Sequence, residues 1–341
     1  MGTRRRSILP GKHDPIMSNE TVNKAGTVGV VLVNWNGGEY TIPCIESLLE
    51  GNIIPNRIVV VDNASRDGSA DKIVKAFPGI ELIRNSENLG FTGANNMGIA
   101  RLTEVGCEYI WVLNNDTTID KQCLSTLKKY LDEHPEAAAC SGKILYQEPE
   151  RLIWYAGSTY SRWTVRSRHR GYGEEDRGQY DSTGAVPFLS GCCMFVRRSA
   201  LDRIGAFDDH FFAYGEDADW CLRAREAGLR LDYVPGAVVR HKVNASVNKV
   251  KDRKTRGSTS PFSVYITSRN SLYLIRKHAE NVLQAGAACI AYGAWTCYYG
   301  TVLLLLGRFG KLKALLVSVY DGATGSLAAS DITAVKPRYL G

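Results

Sequence analysis

The sequence predicts an α/β fold in which helices cover the faces of a mostly parallel sheet. Short apolar runs rich in β-branched residues alternate with segments of helical period, a pattern typical of β–α–β units. Polar residues follow the ends of several of these runs, where open α/β sheets bind ligands. The 341 residues, 44% hydrophobic and 23% charged, have the composition of a globular protein and suffice for one large domain or two smaller ones.

The first half of the chain contains four predicted strands and four predicted helices. Runs such as TVGVVLVN and RIVVVD are continuously apolar, as in strands buried on both faces. The helices carry apolar residues three or four positions apart. In chain order we predict a strand over Thr27–Asn34, a helix over Tyr40–Leu49, a strand over Arg57–Asp62, a helix over Ser69–Phe77, a strand over Ile80–Arg84, a helix over Gly93–Val105, a strand over Tyr109–Asn114 and a helix over Ile119–Glu133.

The pattern changes from about Gly142. The following segments predict a hairpin, an apolar run, a helix closed by a glycine C-cap, and two short strands. They are Ile153–Arg170, Val186–Arg197, Glu216–Ala227 before Gly228, Leu229–Val234 and Ala237–His241.

A long uncharged segment lies between Glu280 and Arg308. It is long enough to span a bilayer, but it contains Gly, Thr, Gln and Tyr and has cations on both sides. This composition favours an interfacial or re-entrant helix pair anchored by cations over a simple span. A buried core helix is the alternative.

The net charge of +7 is unevenly distributed. Arg4–Arg6 and the run Lys249–Arg256 suit an anionic partner such as a lipid headgroup, a sugar nucleotide or a nucleic acid, although a solvated loop would look the same. Nine cysteines without a C-x-x-C pair indicate small buried side chains in a reducing compartment. We expect no signal peptide and a disordered lead-in over residues 1–25.

Four predicted strands end in polar residues. Each end alone is explained by the turn and capping preferences of Asn and Asp. Four ends at one edge of a sheet favour a ligand site. The first strand is not followed by a G-x-G-x-x-G or a Walker-type lysine loop, which argues against dinucleotide dehydrogenases and P-loop enzymes. The polar segments are Asn34–Gly37, Asp62–Ser69, Asn85–Asn96 and Asn114–Asp116.

Three acidic residues lie at one predicted helix start, Glu216, Asp217 and Asp219. Attraction of carboxylates to the helix dipole explains them without a function. Asp217 would also suit a general base, with Trp220 and Phe212 as an apolar wall and sugar platform.

A divalent metal held by Asp116 would neutralise a diphosphate at the sheet edge, where lysines are few. His241 follows a predicted strand and would complete such a site. A lone histidine with a structural role is the alternative.

Taken together, several motifs resemble inverting glycosyltransferases of family 2, with the GT-A fold, and rhamnosyltransferase-like members in particular. The resemblance covers roughly Val28 to His278. It is carried by VNWNG from Val33, VVDNASRDGS from Val60, ENLGFTGANNMGI from Glu87, LNNDT from Leu113, the Phe188–Gly228 segment with GEDADW, VPGAVVRH from Val234 and TSRNSLYLIRKH from Thr267.

The resemblance implies roles for individual residues. Those matched to nucleotide contacts are Asn34, Asn36, Asp62, Asn63, Asn88, Gly90, Asn95 and Asn114. Asp116, in the D-x-D motif, and His241 match ligands of Mg²⁺ or Mn²⁺. Asp217 matches the catalytic base, within an acidic pair with Glu216. Asn114 replaces the first acid of D-x-D, so we expect weaker metal binding that depends on the substrate phosphates and His241 as further ligands.

The resemblance also implies the partners and organisation of the chain. We expect a nucleotide-sugar donor, dTDP-rhamnose first, an acceptor that is a glycan or is linked to a polyprenyl diphosphate, and no nucleic acid. The expected location is cytoplasmic, peripheral on the inner face of the cell membrane. The predicted units are a lead-in over 1–25, a catalytic domain over 26–245, a basic flexible loop over 246–260 and a helical, membrane-associating region over 261–341.

Three alternatives remain open from the residues alone. They are a catalytically degenerate sugar-nucleotide-binding protein, a nucleotidyltransferase on a related sheet, and a nucleic-acid binder. The second expects a basic glycine loop after the first strand, which Gly37–Glu39 lacks. The third expects tight, salt-dependent DNA binding.

Overall fold

A computed structural model describes residues 26–161, 163–164, 166–242 and 260–324. The predictions for the lead-in over 1–25, for the basic loop over 246–260 except Ser260, and for the tail over 325–341 lie outside the described residues.

The first half of the chain forms alternating strands and helices close to those predicted. The buried runs are strands because β-branched residues pack well between covering layers. The elements are β1 (Val28–Asn34), α1 (Gly38–Leu49), β2 (Arg57–Asp62), α2 (Ser69–Ala76), β3 (Glu81–Arg84), α3 (Gly90–Glu104), β4 (Tyr109–Leu113), β5 (Thr117–Ile119) and α4 (Cys123–Glu133).

The prediction that a helix begins at Ile119 is wrong. Residues Thr117–Ile119 form β5, and the helix α4 begins only at Cys123. The short strand β5 pairs antiparallel with a strand more than a hundred residues later in the chain, Arg230–His241. A local pattern carries no information about such a distant partner.

The next part of the chain adds strands of 2 to 12 residues and two helices among its described residues. Its elements are β6 (Ala137–Tyr146), β7 (Ile153–Tyr155), β8 (Ser158–Ser161), β9 (Arg166–His169), β10 (Gly184–Ala185), β11 (Cys193–Arg197), α5 (Arg198–Ile204), α6 (Glu216–Glu226) and β12 (Arg230–His241). The predicted hairpin is present as β8 and β9, which pair antiparallel. The prediction of two strands before His241 is wrong, because β12 is one strand with a register shift between Val234 and Val238.

A ten-stranded mixed sheet forms the centre of the fold, with the main order β10-β12-β6-β11-β4-β1-β2-β3. Strands β4, β1, β2 and β3 are parallel, as predicted. The strand β11 runs antiparallel to both β4 and β6, and this joins the parallel half to the remainder. Buried aliphatic and aromatic side chains such as Trp111 and Phe195 form one large core around the sheet.

Three helices follow the sheet: α7 (Pro261–His278), α8 (Val282–Leu305) and α9 (Phe309–Thr324). Ser260 caps α7 by accepting a hydrogen bond from the Ser263 N–H, and Pro261 occupies the first helical turn. Asn281 caps α8 in the same way through the Gln284 N–H. Helix α7 packs against α9 and α8, and small buried clusters join α7 to the segment that precedes α6.

Candidate active site at the sheet edge

The carboxyl ends of the four parallel strands lie at one edge of the sheet. Asn34 at the end of β1 is in register with Asp62 at the end of β2, and Asp62 is in register with Arg84 at the end of β3. The parallel pairing therefore brings the polar segments predicted from the sequence to a common edge.

Asn34 fixes the position of the Asp62 side chain by a hydrogen bond. Its side chain is fully buried, and its amide donates hydrogen bonds to Asp62 Oδ1 at 2.8 Å and Ser69 Oγ at 2.8 Å. The Thr41 hydroxyl donates to Asn34 Oδ1 at 2.8 Å. The Ser65 N–H donates to Asp62 Oδ2 at 3.1 Å, which leaves Asp62 free lone pairs. Direct contact between Asn34 and a nucleotide stays a prediction; the observed contacts give it a positioning role.

Asn36 joins the loops that follow β1 and β2. It adopts a left-handed backbone conformation with φ of 50°. Its N–H donates to Ser65 Oγ at 2.9 Å, and its side-chain oxygen accepts from the Arg66 N–H at 2.8 Å. Ser65, Ser69 and Thr41 also belong to this network. Both serines lie in the motif VVDNASRDGS, but their roles were not predicted from the sequence.

Asn63 organises the loop before α3. Its side-chain oxygen accepts from the Leu89 N–H at 2.9 Å, and its amide donates to Asn88 Oδ1 at 2.9 Å and the Gly90 carbonyl at 2.9 Å. The Asn88 oxygen also accepts from the Gly90 N–H at 2.8 Å. The loop is thus fixed beside Asp62. Asn95, in contrast, is buried and donates to the Phe91 carbonyl within α3 at 2.8 Å.

Asp116 and His241 lie together, although 124 residues separate them in the chain. The antiparallel pairing of β5 with β12 places His241 opposite Thr117, next to Asp116. His241 Nε2 is 3.0 Å from Asp116 Oδ1. The ring of Trp154 packs edge-on against the imidazole with centroids 4.9 Å apart, and His241 Nδ1 is buried with no hydrogen-bond partner among the described residues.

This pair fits two neighbouring ligands of a divalent cation. Bonds of about 2.1 Å at right angles place two donor atoms roughly 3 Å apart, close to the observed separation. Asn114 directly follows β4, and its Oδ1 is also buried without a partner in the part of the chain that the structure describes. Within the described ranges no group of three or more His, Cys, Asp or Glu side chains is placed to hold a metal. Water and substrate oxygens would have to complete the coordination.

The acidic pair begins α6, after the N-cap Gly215 with φ of 104°. Glu216 is buried, and its Oε2 has no hydrogen-bond partner within the described ranges. Burial together with the charge of Asp217 raises the pKa of Glu216 well above the usual value. Burial also raises the pKa of Asp217, while the backbone N–H groups of Gly191 and Ala218 oppose the shift. These groups donate to Asp217 Oδ2 at 3.0 Å and Oδ1 at 2.8 Å. Two adjacent carboxyl groups whose pKa values are both raised suit proton transfer.

One short loop lies between the metal candidate and the acidic pair. The Gly191 N–H donates a hydrogen bond to Asp217. The carbonyl of the next residue, Cys192, accepts one from the Asn114 N–H at 2.9 Å. Burial raises the pKa of the Cys192 thiol well above its usual value, and the charges of Asp116 and Asp217 raise it further. The Gly191–Cys192 loop therefore contacts Asp217 on one side and the strand end that precedes Asp116 on the other.

Three residues named with the acidic cluster have buried, structural positions. Asp219 is fully buried among Arg223 at 2.8 Å, Lys277 at 2.7 Å and His278 at 2.8 Å, so it is a structural ion-pair centre. The expectation that Trp220 and Phe212 form a sugar platform is wrong. Both side chains are at least 93% buried, and the Trp220 indole donates to the Gly205 carbonyl.

Two solved structures share the fold. A mannosyltransferase from Pyrobaculum calidifontis in complex with GDP-Man and Mn²⁺ superimposes with a TM-score of 0.52 at 17% identity, over 91% of this chain and 79% of that one. GalNAc-T7 with UDP, GalNAc and Mn²⁺ gives a TM-score of 0.55 at 15% identity, over 73% of this chain and 48% of that one. The predicted GT-A fold class is confirmed.

Three curated relatives are rhamnosyltransferases. The N-acetylglucosaminyl-diphospho-decaprenol L-rhamnosyltransferase of Mycobacterium tuberculosis is 28% identical over 62% of this chain and 75% of its own. The dTDP-rhamnosyl transferase RfbF of Shigella flexneri is 25% identical over 79% and 86%. Rhamnosyltransferase WbbL of Escherichia coli is 28% identical over 61% and 80%.

The family comparison agrees with the fold and with these relatives. Residues 29–205, just over half of the chain, match the family described as glycosyl transferase family 2, and the chain belongs to this family of sugar-transferring enzymes.

Proposed function

We propose that the protein is an inverting glycosyltransferase that moves a sugar from a nucleotide-sugar donor to a hydroxyl of a glycan or polyprenyl-diphosphate-linked acceptor in cell-surface polysaccharide synthesis. The observation that carries the proposal is that Asp116 with His241 and Asp217 with Glu216 lie on two sides of one loop, Gly191–Cys192, at the ligand-binding edge of the sheet. The names of three relatives support rhamnose, with dTDP-rhamnose as our first donor.

The nucleoside would lie against Asp62 and the loop ordered by Asn63. The Asp62 carboxylate keeps free lone pairs and would accept from an N–H group of the base. Asn36, Asn88 and Gly90 border the same position.

The donor diphosphate would lie at Asp116 and His241. A bound Mg²⁺ or Mn²⁺ would supply Lewis-acid stabilisation of the leaving diphosphate. The protein's own part is to fix the carboxylate and the imidazole next to each other through the β5–β12 ladder.

Asp217 would act as the general base. Glu216 Oε2 is buried without a hydrogen-bond partner among the described residues, and burial together with the charge of Asp217 raises its pKa, so Glu216 would be the member of the pair that stays protonated. Asp217, held by two N–H groups, keeps the charge and takes the proton of the acceptor hydroxyl. The acceptor oxygen bonds to the anomeric carbon, the bond to the phosphate oxygen breaks, and the diphosphate leaves with the electron pair. A single in-line displacement inverts the anomeric centre.

Calorimetric titration with dTDP, UDP and GDP, with and without Mn²⁺, tests the donor site. We expect metal-dependent binding of one nucleotide, lost in Asp116→Asn and retained in the matched control Asp120→Asn, since Asp120 pairs with Arg240 at the surface. No binding of any nucleotide by the wild type, or undiminished binding by Asp116→Asn, would overturn the assignment. Binding without sugar transfer would favour the degenerate sugar-nucleotide-binding protein.

We also propose that α8 lies on the inner face of the cell membrane. Within the described residues it is the one helix long and apolar enough to cross a membrane, by length and composition only. The alternative of a buried core helix does not hold, because one uncharged stripe is exposed along the whole helix: Leu283 is 82% exposed, Ile290 75%, Tyr298 70% and Leu305 80%. Arg308, Lys311 and Lys313 follow this stripe and suit anionic headgroups.

The opposite face of α8 favours an orientation in the membrane plane over a span. Tyr292 shares a hydrogen bond of 2.6 Å with Ser268 of α7, and the Arg166 guanidinium lies 5.3 Å from the ring centre of Trp295. A spanning α8 would carry these polar neighbours into hydrocarbon, where they are costly.

Cys297 offers a direct test, because of the nine cysteines only Cys289 and Cys297 are exposed. With Cys289→Ser, an environment-sensitive fluorophore on Cys297 should shift to the blue with vesicles that contain phosphatidylglycerol, and less with neutral vesicles. The same fluorophore on Lys72→Cys of α2, without either exposed cysteine, should not shift. An unchanged spectrum at Cys297 would exclude membrane contact by this face.

A further inference from the structure

We propose that Asn270, oriented by Arg269, is a positioning residue for the acidic pair of the active site. It lies on α7, outside residues 29–205 that match the family, in the segment TSRNSLYLIRKH, where no role was assigned to it from the sequence. The inference rests on the proposed role of Asp217 as the base.

The segment before the acidic pair needs external support. Tyr214 has φ of 66° and Gly215 has φ of 104°, so two successive residues adopt left-handed conformations directly before Glu216. Such a conformation costs about 1–3 kcal/mol for a residue with a Cβ, and it persists only where the surroundings impose it. Tyr214 is also half exposed, so packing of its own ring holds this conformation only in part.

Side chains of α7 supply that support by binding carbonyl groups of the segment. The Asn270 amide donates to the Tyr214 carbonyl at 2.6 Å and the Ala213 carbonyl at 2.9 Å. Arg269 Nη2 donates to the His210 carbonyl at 2.7 Å. Both side chains are 1% exposed, so neither bond competes with solvent.

Arg269 also decides which way the Asn270 amide faces. Its Nε and Nη2 donate to Asn270 Oδ1 at 3.0 and 2.7 Å. A guanidinium has only donors, so the side-chain oxygen must face Arg269 and the NH₂ must face the loop. Two adjacent residues therefore form one fixed donor group aimed at the backbone of the segment.

The same segment is held from its other side by the donor-binding half of the site. The Thr92 N–H in the first turn of α3 donates to the Phe212 carbonyl at 3.2 Å. The acidic pair thus follows a segment fixed between α3 and α7. A displacement of about 1 Å at a reacting group can lower turnover on the order of 100-fold, so loss of one support should act on the chemical step.

A purely structural role would have a different signature. If Asn270 only stabilised the fold, its removal would lower activity in proportion to the fraction unfolded and leave turnover per folded molecule unchanged. A positioning role lowers kcat of the folded enzyme, spares nucleotide affinity and alters the pH dependence of kcat, because the burial that raises the pKa of Asp217 depends on where the segment lies.

The test compares Asn270→Ala and Asn270→Asp with the matched control Ser271→Ala. The aspartate keeps the oxygen that binds Arg269 and loses the two donors. Ser271 is the next residue, is partly exposed, and its hydroxyl donates to the Thr267 carbonyl of its own helix. We expect kcat to fall about 10- to 100-fold in both Asn270 variants, nucleotide Kd to stay within about twofold, and the pH profile of kcat to move. Ser271→Ala should behave as wild type.

Two results would overturn the inference: kcat per folded molecule equal to that of Ser271→Ala, or a rise in Kd that matches the fall in kcat. If Asn270→Ala does not fold, Arg269→Lys serves instead, because lysine keeps the charge and loses the paired donors to Asn270.

The variant Asp217→Asn is measured together with the Asn270 variants. If it turns over as wild type, the proposed base is wrong; if it is inactive while Asn270→Ala turns over normally, only this inference fails.

Discussion

Replacing Gly90 by alanine should damage both stability and turnover, because Gly90 contacts the segment that carries the acidic pair. Gly90 begins α3 with φ of 75°, and an added Cβ would lie 2.2 Å from the Phe212 carbonyl oxygen and 2.7 Å from its ring. Normal contact requires these atoms to separate by roughly 1 Å more. The Phe212 carbonyl would have to move, and it lies five residues before Asp217.

The loss of stability in Gly90→Ala has two contributions, which a matched control variant separates. A left-handed alanine costs about 1–2 kcal/mol, and forced displacement in a packed region costs about 1–3 kcal/mol more. Gly68 caps α2 with φ of 73°, but an added Cβ there meets nothing within 4 Å. Gly68→Ala should therefore lose only about 1–2 kcal/mol and Gly90→Ala about 2–5 kcal/mol.

Denaturant unfolding followed by circular dichroism measures the two stability losses, and turnover with saturating donor measures the effect on chemistry. We expect kcat of folded Gly90→Ala to fall by about 10- to 100-fold, since the carbonyl moves by roughly 1 Å. Equal stability losses in the two variants, with wild-type turnover in Gly90→Ala, would refute the steric argument and the coupling between α3 and the acidic pair.

The remaining predictions concern the base, the Asp62 network and a buried histidine. Asp217→Asn should lower kcat by about 10²–10⁴-fold and leave nucleotide affinity nearly unchanged in calorimetry; a variant with wild-type turnover would contradict the assignment. Asn34→Ala removes the bonds that hold Asp62, and it should weaken nucleotide binding and lower stability by about 1–3 kcal/mol; unchanged affinity would mean that Asp62 does not read the base. Burial disfavours the charged form of His278, but hydrogen bonds to Asp219 and Glu226 outweigh this and raise its pKa. A histidine whose pKa is raised in the folded state stabilises the fold fully below its unfolded pKa of about 6.5. This stabilisation is lost as the pH rises through the folded pKa. Thermal unfolding should thus show wild type losing stability relative to His278→Gln as pH rises above about 6.5, and a pH-independent difference would argue against the ion pair.

Much of the site could be predicted because its residues stand next to strong local signals. Asn34, Asp62 and Asn114 directly follow continuous apolar runs, and the parallel pairing of those runs requires their ends to meet at one edge. Glu216 and Asp217 follow a glycine at the start of an amphipathic segment. The roles of individual residues were harder to assign. The local sequence around Asn34 is compatible both with a buried side chain bonded to Asp62, as observed, and with an exposed side chain that contacts a ligand.

The sequence by itself determined the alternating elements, the edge where polar residues collect and the family. Periodicity and chain direction are local properties, so they can be read without a partner. Only the tertiary structure decided the pairing of β5 with β12, which brings His241 to Asp116, and the packing of α7 behind the acidic pair, which brings Asn270 to the Tyr214 carbonyl. These contacts join residues 56 to 125 positions apart, and no local preference of either partner specifies the other. Long-range packing of the chain therefore brings together site residues that the sequence identifies only one by one.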